Sequence, residues 1–486
     1  MEPALTRRAA RGQATSDAAR RASFWLDSLA ESGADPLRPR TALTANAWFD
    51  VCLIGGGLTA LWTAYSLMRA DPTLRVAVLE REIAGFGASG RNGGWCSALF
   101  PRSTASLERT HGREAAIAMR RAMIDTVDEV GRITAAEGID CDFVRGGTVV
   151  FARSDAQRSA ARAEVEESAR YGVDRLEYWD ERRVAERFDV SGADDRTPAA
   201  VYDPACARVH PAKLVRGLAR AVERLGVAIF ERTEVLDWSA GRVRFRALDG
   251  SGATGTVSAR HVLVATEGYS PRLPRARRRI LPIFSLMIAT EPLPPEVWNR
   301  IGLTHGETFS DYRHLLVYGQ RTADDRIAFG GRGARYHWAS AVDPRFEQDD
   351  RVFAHLASTL RDLFPAVGDA RITHRWGGPL GIARDWHPTV SYNPRTGVGF
   401  AGGYVGDGLS TTNLAGRTLA DLVLGRTSEL TALPWVQHRS PLWEPEPLRW
   451  VGANLGILGT GLADREERLT GRPSLIARAI GPLTGH

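Results

Sequence analysis

Lysine is almost absent from this chain. Lys213 is the only lysine among 63 basic side chains in 486 residues, so a reaction that needs a lysine amine has one candidate position. The net charge is only +6, and outside Arg277-Arg278-Arg279 the arginines are scattered among acids. Because the basic residues form no extended patch, we expect no nucleic acid among the partners.

Cysteine is also scarce and widely spaced. Cys52, Cys96, Cys141 and Cys206 contain no CxxC pair, which argues against a disulfide framework and a metal site. The chain has no run of about 18 apolar residues, so no membrane-spanning helix is expected. The first 45 residues lack the apolar core of a signal peptide. The cysteine usage fits a reducing cytoplasm, so a cytoplasmic protein is expected. The oligomeric state is left as either a monomer or a homodimer.

The most informative stretch runs from residue 49 to residue 94. An apolar run at 51–54 meets three glycines at 55–57, and a helical pattern follows until Asp71-Pro72 breaks it. A second apolar run then ends on Glu80. Strand, tight turn, helix, strand and acid, in this order, form the βαβ unit that binds the adenosine and pyrophosphate of a dinucleotide. A plain βαβ unit without a nucleotide is the alternative.

Each residue type in this unit has a physical reason. Gly55 permits the sharp turn out of the strand, and Gly57 lets backbone approach the pyrophosphate. Ala60 stands where a third glycine is usual, and its single methyl group is tolerable. The N-terminus of the helix offers N–H groups and a positive dipole to phosphate. Glu80 can accept hydrogen bonds from ribose hydroxyls.

The rest of the chain indicates a second, interleaved region. Helices and strands alternate as far as Val262–Ala265, whereas from Ile280 the pattern becomes antiparallel, with a hairpin across 314–331. A glycine loop at 402–408 then precedes a helix that begins at Ser410. We predict an α/β fold (α+β overall), with a Rossmann-like domain and an interleaved domain built on an antiparallel sheet.

Five ordered blocks carry a family resemblance. They are IGGGLTALWTAYSL with Glu80, GASGRNGGW, RVHPAKLVRGLA, VATEGYS and GGYVGDGLSTTNLAG. In these blocks the chain resembles the FAD-dependent amine and amino-acid oxidase family, that of D-amino-acid oxidase, glycine oxidase and sarcosine oxidase, and in particular its γ-glutamylputrescine oxidoreductase-like branch. The resemblance implies FAD as cofactor and a substrate domain on the antiparallel sheet.

The resemblance also implies which residues meet the cofactor. Residues 89–94 would run beside the pyrophosphate and flavin, Val235 would meet the adenine, and 403–412 would pass under the flavin ring. The expected cofactor set is Gly55, Gly57, Leu58, Thr59, Glu80, Arg81, Ala88, Ser89, Arg91, Asn92, Gly93, Gly94, Val235, Thr266, Gly268, Gly403, Gly406, Gly408, Leu409, Ser410 and Thr411.

Domain boundaries follow from the same comparison. We expect an N-terminal arm at 1–45 and a discontinuous FAD-binding domain at 46–140, 201–279 and 370–430. The substrate domain would take 141–200 and 280–369, and a Trp-rich extension would take 431–486. In the arm, the short apolar cluster at 24–29 is expected to pack on the body.

The implied reaction is oxidation of a C–N bond in a small amine or amino acid, with hydride passing to the flavin and dioxygen as the acceptor. Sarcosine oxidases use a lysine for dioxygen, but Lys213 falls in the FAD-binding domain. That role would therefore pass to Arg332, Arg335 or His337 or to a water, or it would be absent, which would favour an acceptor other than dioxygen. Candidate catalytic residues are Arg332, His337, Trp376 and Tyr318. Other candidate substrate contacts are Trp95, Tyr312, Arg313 and Trp386.

Two further points concern the cofactor and the alternatives. Some relatives attach FAD through a cysteine or histidine, but Trp376 stands at the expected linking position, so FAD should be non-covalent, with Cys96 as the one exception to consider. The alternatives are a dehydrogenase of the same fold that passes electrons to a quinone or carrier protein, and a flavin-binding subunit without catalysis.

Overall fold

The computed structural model describes residues 15–192 and 197–484. In chain order the strands are β1 (Ala47–Ile54), β2 (Val76–Leu79), β3 (Trp95–Ser97), β4 (Thr148–Ala152), β5 (Glu177–Trp179), β6 (Ala199–Asp203), β7 (Cys206–Arg208), β8 (Ala228–Phe230), β9 (Thr233–Ser239), β10 (Arg242–Ala247), β11 (Thr254–Val264), β12 (Leu281–Thr290), β13 (Thr308–Asp311), β14 (Val317–Arg321), β15 (Ile327–Gly331), β16 (Ile372–Ile382), β17 (Thr389–Asn393) and β18 (Val398–Gly402).

The helices are α1 (15–20), α2 (Phe24–Glu31), α3 (Leu58–Ala70), α4 (Thr104–His111), α5 (Arg113–Ala136), α6 (Asp155–Tyr171), α7 (Glu181–Ala185), α8 (Pro211–Arg224), α9 (Pro295–Ile301), α10 (Asp350–Leu363), α11 (Gly408–Val423), α12 (Leu448–Thr470) and α13 (Leu475–Thr484). Among the described residues, none of these helices combines the length and apolar character needed to cross a membrane.

The first sheet is built on β1. Parallel strands β2 and β11 flank it, β8 and β18 lie outside them, and the hairpin β9–β10 pairs with the far end of β11. Alternate residues of β1 enter two cores, because Val51 and Leu53 pack under α3 while Cys52 and Ile54 pack towards the hairpin. The carboxyl ends of β1, β2 and β11 meet at one edge, where parallel α/β sheets bind ligands.

The second sheet is the predicted, mainly antiparallel one. Its order is β16-β12-β15-β14-β13-β4-β6-β5. The side chains of β12 alternate between its two faces: Phe284, Leu286 and Ile288 pack with α10, whereas Met287 and Ala289 face α2. This alternation decides which later residues can reach the first domain.

Strand pairing differs from the expected boundaries in two places. The strand β6 begins at Ala199 and pairs with β4, and β16 pairs along its length with β12, so both belong to the second sheet although 201–279 and 370–430 were expected in the first domain. Ahead of β4, Val144 forms an isolated bridge with Arg208.

The N-terminal arm packs on the body through α2. Phe24, Trp25, Leu26 and Leu29 are buried, as the sequence predicted. The indole N–H of Trp25 donates to the carbonyl of Asn92 at 2.8 Å. The arm is therefore attached to the segment that follows the βαβ unit.

Candidate active site

A cavity of about 420 Å³ opens at the edge where β1, β2 and β11 end. It is lined by the 54–59 turn, Glu80 and Arg81, the 86–92 segment, Val235 on β9, 265–267, and the 406–412 start of α11. Three parts of the chain that are distant in sequence, at 54–92, 235–267 and 406–412, therefore form one long groove that runs from β9 to α11.

The N-terminus of α3 faces this groove without a capping side chain. Its N-cap residue is Gly57, and only Ser89 Oγ approaches, accepting the N–H of Leu58 at 2.9 Å. A Cβ on Gly57 would lie 2.9 Å from that oxygen. Gly55 has φ +103°, and a Cβ there would lie 2.7 Å from the Ala265 carbonyl oxygen. The free N–H groups and close backbone suit an anionic ligand.

The Glu80 carboxylate is hydrogen-bonded to the glycine turn. Its Oε2 accepts the N–H of Gly56 at 2.6 Å, and its Oε1 accepts the N–H of Glu82 at 2.8 Å. Burial raises the pKa of Glu80 to about 7, although both hydrogen bonds act in the opposite direction. Arg81 beside it forms ion pairs with Glu82 and Glu234, so this end of the groove is polar.

Glu267 holds the glycine loop before α11, a role that the sequence did not suggest. Its carboxylate accepts the N–H groups of Gly403 at 2.9 Å and Tyr404 at 3.2 Å, and burial raises its pKa to about 7. The Tyr404 hydroxyl in turn lies 3.1 Å from Thr59 Oγ1 on α3. The far end of the chain is thus tied to the βαβ unit.

Most residues of the expected cofactor set line the groove. They are Gly55, Gly57, Leu58, Thr59, Glu80, Arg81, Ala88, Ser89, Asn92, Val235, Thr266, Gly406, Gly408 and Leu409. The others lie behind the lining. Ser410 Oγ donates to the Ser97 carbonyl, and Thr411 Oγ1 to the Asp407 carbonyl. Gly268 packs on Pro379, Gly403 on Ala383, and Gly93 and Gly94 lie against β14.

Arg91 links the two domains instead of facing the groove. Its guanidinium, which is almost fully buried, donates to the carbonyls of Phe86 at 2.6 Å and Gly377 at 3.1 Å, and to Glu347 at 2.7 Å. All of these are protein partners, so the structure explains Arg91 as a structural contact with the second sheet.

Arg332 and Asp407 are two mostly buried charges beside the α11 end of the groove. Arg332 Nη2 donates to the Val405 carbonyl at 2.7 Å, and its guanidinium lies 5.5 Å from the Trp386 ring. Asp407 is the N-cap residue of α11, but its carboxylate does not cap the helix. Burial lowers the pKa of Arg332 and raises that of Asp407 to about 6. Within the described residues neither forms an ion pair within 4.0 Å, with the other or elsewhere.

The other three candidate catalytic residues lie at three different places in the fold. Tyr318 faces the first domain: its ring lies against Gly93 and Trp95, and its hydroxyl lies 2.8 Å from Ser285 Oγ. Trp376 is buried between β16 and α2, where its indole N–H donates to the Arg91 carbonyl at 2.8 Å.

His337 stacks on Phe346 at 3.4 Å and meets the edge of Phe284, which belongs to the α10 face of the sheet. The structure therefore places His337 on the face opposite Tyr318. The sequence pattern did not reveal this, because the residue lies in a loop after β15 that has no strand alternation.

A second cavity, of about 1330 Å³, adjoins Arg332. Its lining includes Trp95, Leu316 and Trp386, together with Tyr312, Glu164 and Asp203. Leu316 also accepts the backbone N–H of Arg332 at 3.0 Å. Arg313, by contrast, is engaged by Asp311. Trp95, Tyr312 and Trp386 are thus the candidate substrate contacts that reach open space.

A family model described as FAD dependent oxidoreductase (DAO) matches residues 50–422, which contain the whole groove. This chain belongs to that family. The resemblance seen in the five sequence blocks is confirmed. The protein is an FAD-dependent oxidoreductase.

Similar proteins agree with this assignment. The γ-glutamylputrescine oxidoreductase of Escherichia coli K12 is 30% identical over 417 residues, covering 84% of this chain and 91% of the relative. A probable oxidoreductase OrdL of Haemophilus influenzae is 29% identical over 394 residues, covering 79% and 84%. The crystal structure of glycine oxidase from Geobacillus kaustophilus superposes with a TM-score of 0.64 at 20% identity, covering 81% of this chain and all of that one, which shows the shared fold.

The residues of the groove fit FAD. The uncapped start of α3 suits the pyrophosphate, Glu80 at the end of β2 suits the ribose, and the start of α11 suits a ring that becomes negative on reduction. Cys96 is fully buried on β3, and burial raises the pKa of its thiol well above the usual range. This oxidoreductase therefore offers no reactive thiolate there for a covalent link.

Proposed function

We propose that this enzyme oxidises the C–N bond of a primary or secondary amine or amino acid, with dioxygen as acceptor and hydrogen peroxide as a product. The substrate loses a hydride from carbon and a proton from nitrogen, and water then converts the imine to a carbonyl compound. FAD, when bound, supplies the two-electron oxidation by accepting the hydride. The observation that carries the proposal is the pair of buried, unpaired charges, Arg332 and Asp407, beside the groove.

These two charges match a substrate that carries both signs. A buried ion is costly because of desolvation, and the attraction between Arg332 and Asp407 opposes this only in part, since the pKa of each is still shifted towards its neutral form. A substrate carboxylate would compensate Arg332, and a substrate ammonium would compensate Asp407. An amino acid, or an amine with a nearby acid group, provides both partners at once.

Asp407 also suits the proton that the amine must lose. A cationic amine does not release hydride easily, so the nitrogen has to be neutral before oxidation. The burial that raises the pKa of Asp407 to about 6 would lower that of a bound ammonium. Moving the proton from nitrogen to the Asp407 carboxylate then replaces two buried charges by two neutral groups.

Arg332 is also the cation we propose for reaction with dioxygen. Lys213, on α8, forms an ion pair with Asp142 at 2.7 Å and does not line the groove. Arg335 is exposed, and His337 lies on the opposite face of the sheet. Transfer of electrons to a quinone or carrier protein is the alternative if dioxygen reacts slowly.

The first experiment mixes the holoenzyme anaerobically with amines and amino acids and follows flavin absorbance. γ-Glutamylputrescine belongs in the panel because the relative from Escherichia coli bears its name and the second cavity is large. We expect bleaching by at least one compound, followed by peroxide on admission of air. If no compound of either class bleaches the flavin, the proposal is wrong.

The second experiment tests Arg332 with matched substrates. Arg332→Met should weaken binding of a bleaching amino acid by about 100-fold, since a charge-assisted contact of about 2–3 kcal/mol is lost. The same amine without its carboxylate should be affected less than about threefold. Arg335→Met, three residues away and exposed, is the control and should leave both unchanged. Equal losses for both substrates would contradict the assigned role.

A further inference from the structure

A row of exposed aliphatic side chains runs along α12. Leu448, Val451, Leu455, Leu458, Leu462 and Leu469 are spaced by three, four or seven residues, so they share one face of the helix. They are between 43% and 76% exposed, and the face extends for about 32 Å at 1.5 Å per residue. We call these six residues the apolar stripe. Leu475 of α13 and Trp450 are exposed as well.

The orientation of α12 is set by its other side. Gly456, Gly459 and Ala463 are buried, and Gly459 lies against Ile480 of α13. The Asp464 carboxylate accepts the backbone N–H groups of His314 and Leu315 at 2.7 and 3.0 Å. The helix is thus attached to the second sheet, and the apolar stripe faces away from the body. A soluble monomer rarely exposes so continuous an apolar face.

Around the apolar stripe, the acidic side chains are engaged in hydrogen bonds, whereas the exposed arginines among the described residues are not paired with acids. Asp464 is engaged as described, Glu466 accepts from Ser474 and Ile476, and Glu467 accepts from His314 and Ser474. The exposed arginines nearby have no such partners: in the part of the chain that the structure describes, none of them forms an ion pair. They are Arg465, Arg468, Arg472 and Arg478. The three acids are thus engaged by hydrogen bonds, and the four arginines are left as a basic rim at the surface.

We propose that α12 and α13 dock this protein on an anionic phospholipid surface. The apolar stripe would enter the acyl region while the arginines of the rim meet lipid phosphates, as in helices that lie in the plane of a membrane. A second copy fits less well. Antiparallel pairing of two stripes would put Arg465 of each copy against leucines of the other, with no free acid to pair with it. The inference does not depend on which amine is oxidised.

The test is flotation of the holoenzyme with lipid vesicles. We expect binding to mixed phosphatidylcholine–phosphatidylglycerol vesicles and weaker binding to phosphatidylcholine alone. Leu455→Ser/Leu458→Ser/Leu462→Ser should lower the partition coefficient at least about 100-fold, since three leucines leave the apolar phase. Arg465→Gln/Arg468→Gln/Arg472→Gln should lower binding to the mixed vesicles by about 10- to 100-fold and hardly change binding to the neutral ones.

The control is Arg182→Gln/Arg345→Gln/Arg371→Gln, which removes the same charge from side chains that are 88%, 84% and 78% exposed elsewhere. It should bind vesicles like the wild type, and all variants should keep their flavin absorbance. The inference is overturned if the wild type does not float with mixed vesicles, or if the stripe variant floats equally well. A wild-type dimer that the stripe variant dissociates, without vesicle binding, would assign the face to a second copy instead.

Discussion

Gly57 allows the roles of packing and cofactor contact to be separated. Its φ of −86° is accessible to alanine, so Gly57→Ala introduces no backbone strain. The new methyl group would lie 2.9 Å from Ser89 Oγ, whereas the Ser89 Cβ would be 3.9 Å away, which is ordinary contact. In the free protein the clash is therefore with one hydroxyl group, and Ser89→Ala should remove it.

The expected magnitudes follow from one hydrogen bond. Ser89→Ala loses the acceptor of the Leu58 N–H, which costs about 1 kcal/mol at an otherwise uncapped helix start. Gly57→Ala displaces the same hydroxyl and should lose about as much. The double variant should be no less stable than Ser89→Ala alone, so the coupling energy is about 1 kcal/mol.

Binding of FAD should behave differently in the same variants. If backbone at Gly57 approaches the pyrophosphate, its methyl group obstructs the cofactor whether or not Ser89 is present, and affinity falls at least about 100-fold in the single and the double variant. Urea unfolding of the apoprotein gives the coupling energy, and titration with FAD gives the affinity. Full recovery of FAD affinity in the double variant would refute a pyrophosphate contact at Gly57.

Three other substitutions test separate parts of the structure. Gly55→Ala should destabilise the apoprotein by about 3 kcal/mol or more in urea unfolding, because the φ of Gly55 is +103° and the new methyl group would meet backbone atoms. The control is Gly452→Ala in α12, which has open space around it and should be neutral or slightly stabilising. Trp376→Phe should lower stability by about 2 kcal/mol through the lost contact with Arg91 but leave kcat unchanged; a large loss of kcat with normal stability would return it to the catalytic set. Asp407 has a folded pKa of about 6, raised from 3.8, so its contribution to stability is present below pH 3.8 and is lost as the pH rises through 6. Relative to wild-type apoprotein, Asp407→Asn should therefore gain up to about 3 kcal/mol between pH 4 and pH 7, and a flat difference in denaturation against pH would contradict the buried carboxylate.

The amino-acid sequence was sufficient to predict the cofactor-binding end of this protein. The order of strand, glycine turn, helix, strand and Glu80 lies within about 30 residues, and local chemistry decides it: only glycine tolerates the φ of Gly55, and only a short side chain lets backbone approach a phosphate. The glycine loop and helix near 402–424 were readable for the same reason. The observed α11 begins two residues earlier, at Gly408.

Only the folded chain shows where the candidate substrate-contacting residues lie. Trp376, His337 and Tyr318 were equivalent candidates in the sequence. Strand alternation and the packing of α2 place Trp376 in the core and Tyr318 against Gly93, whereas the loop after β15 carries His337 to the far face. Arg91 was expected beside the pyrophosphate and flavin and instead pairs with Glu347, in the short turn before α10. Glu267 and Asp407 escaped notice because their importance depends on burial, and burial depends on segments that are distant in sequence: Glu267 meets the loop at 403–404, and Asp407 lies near Arg332.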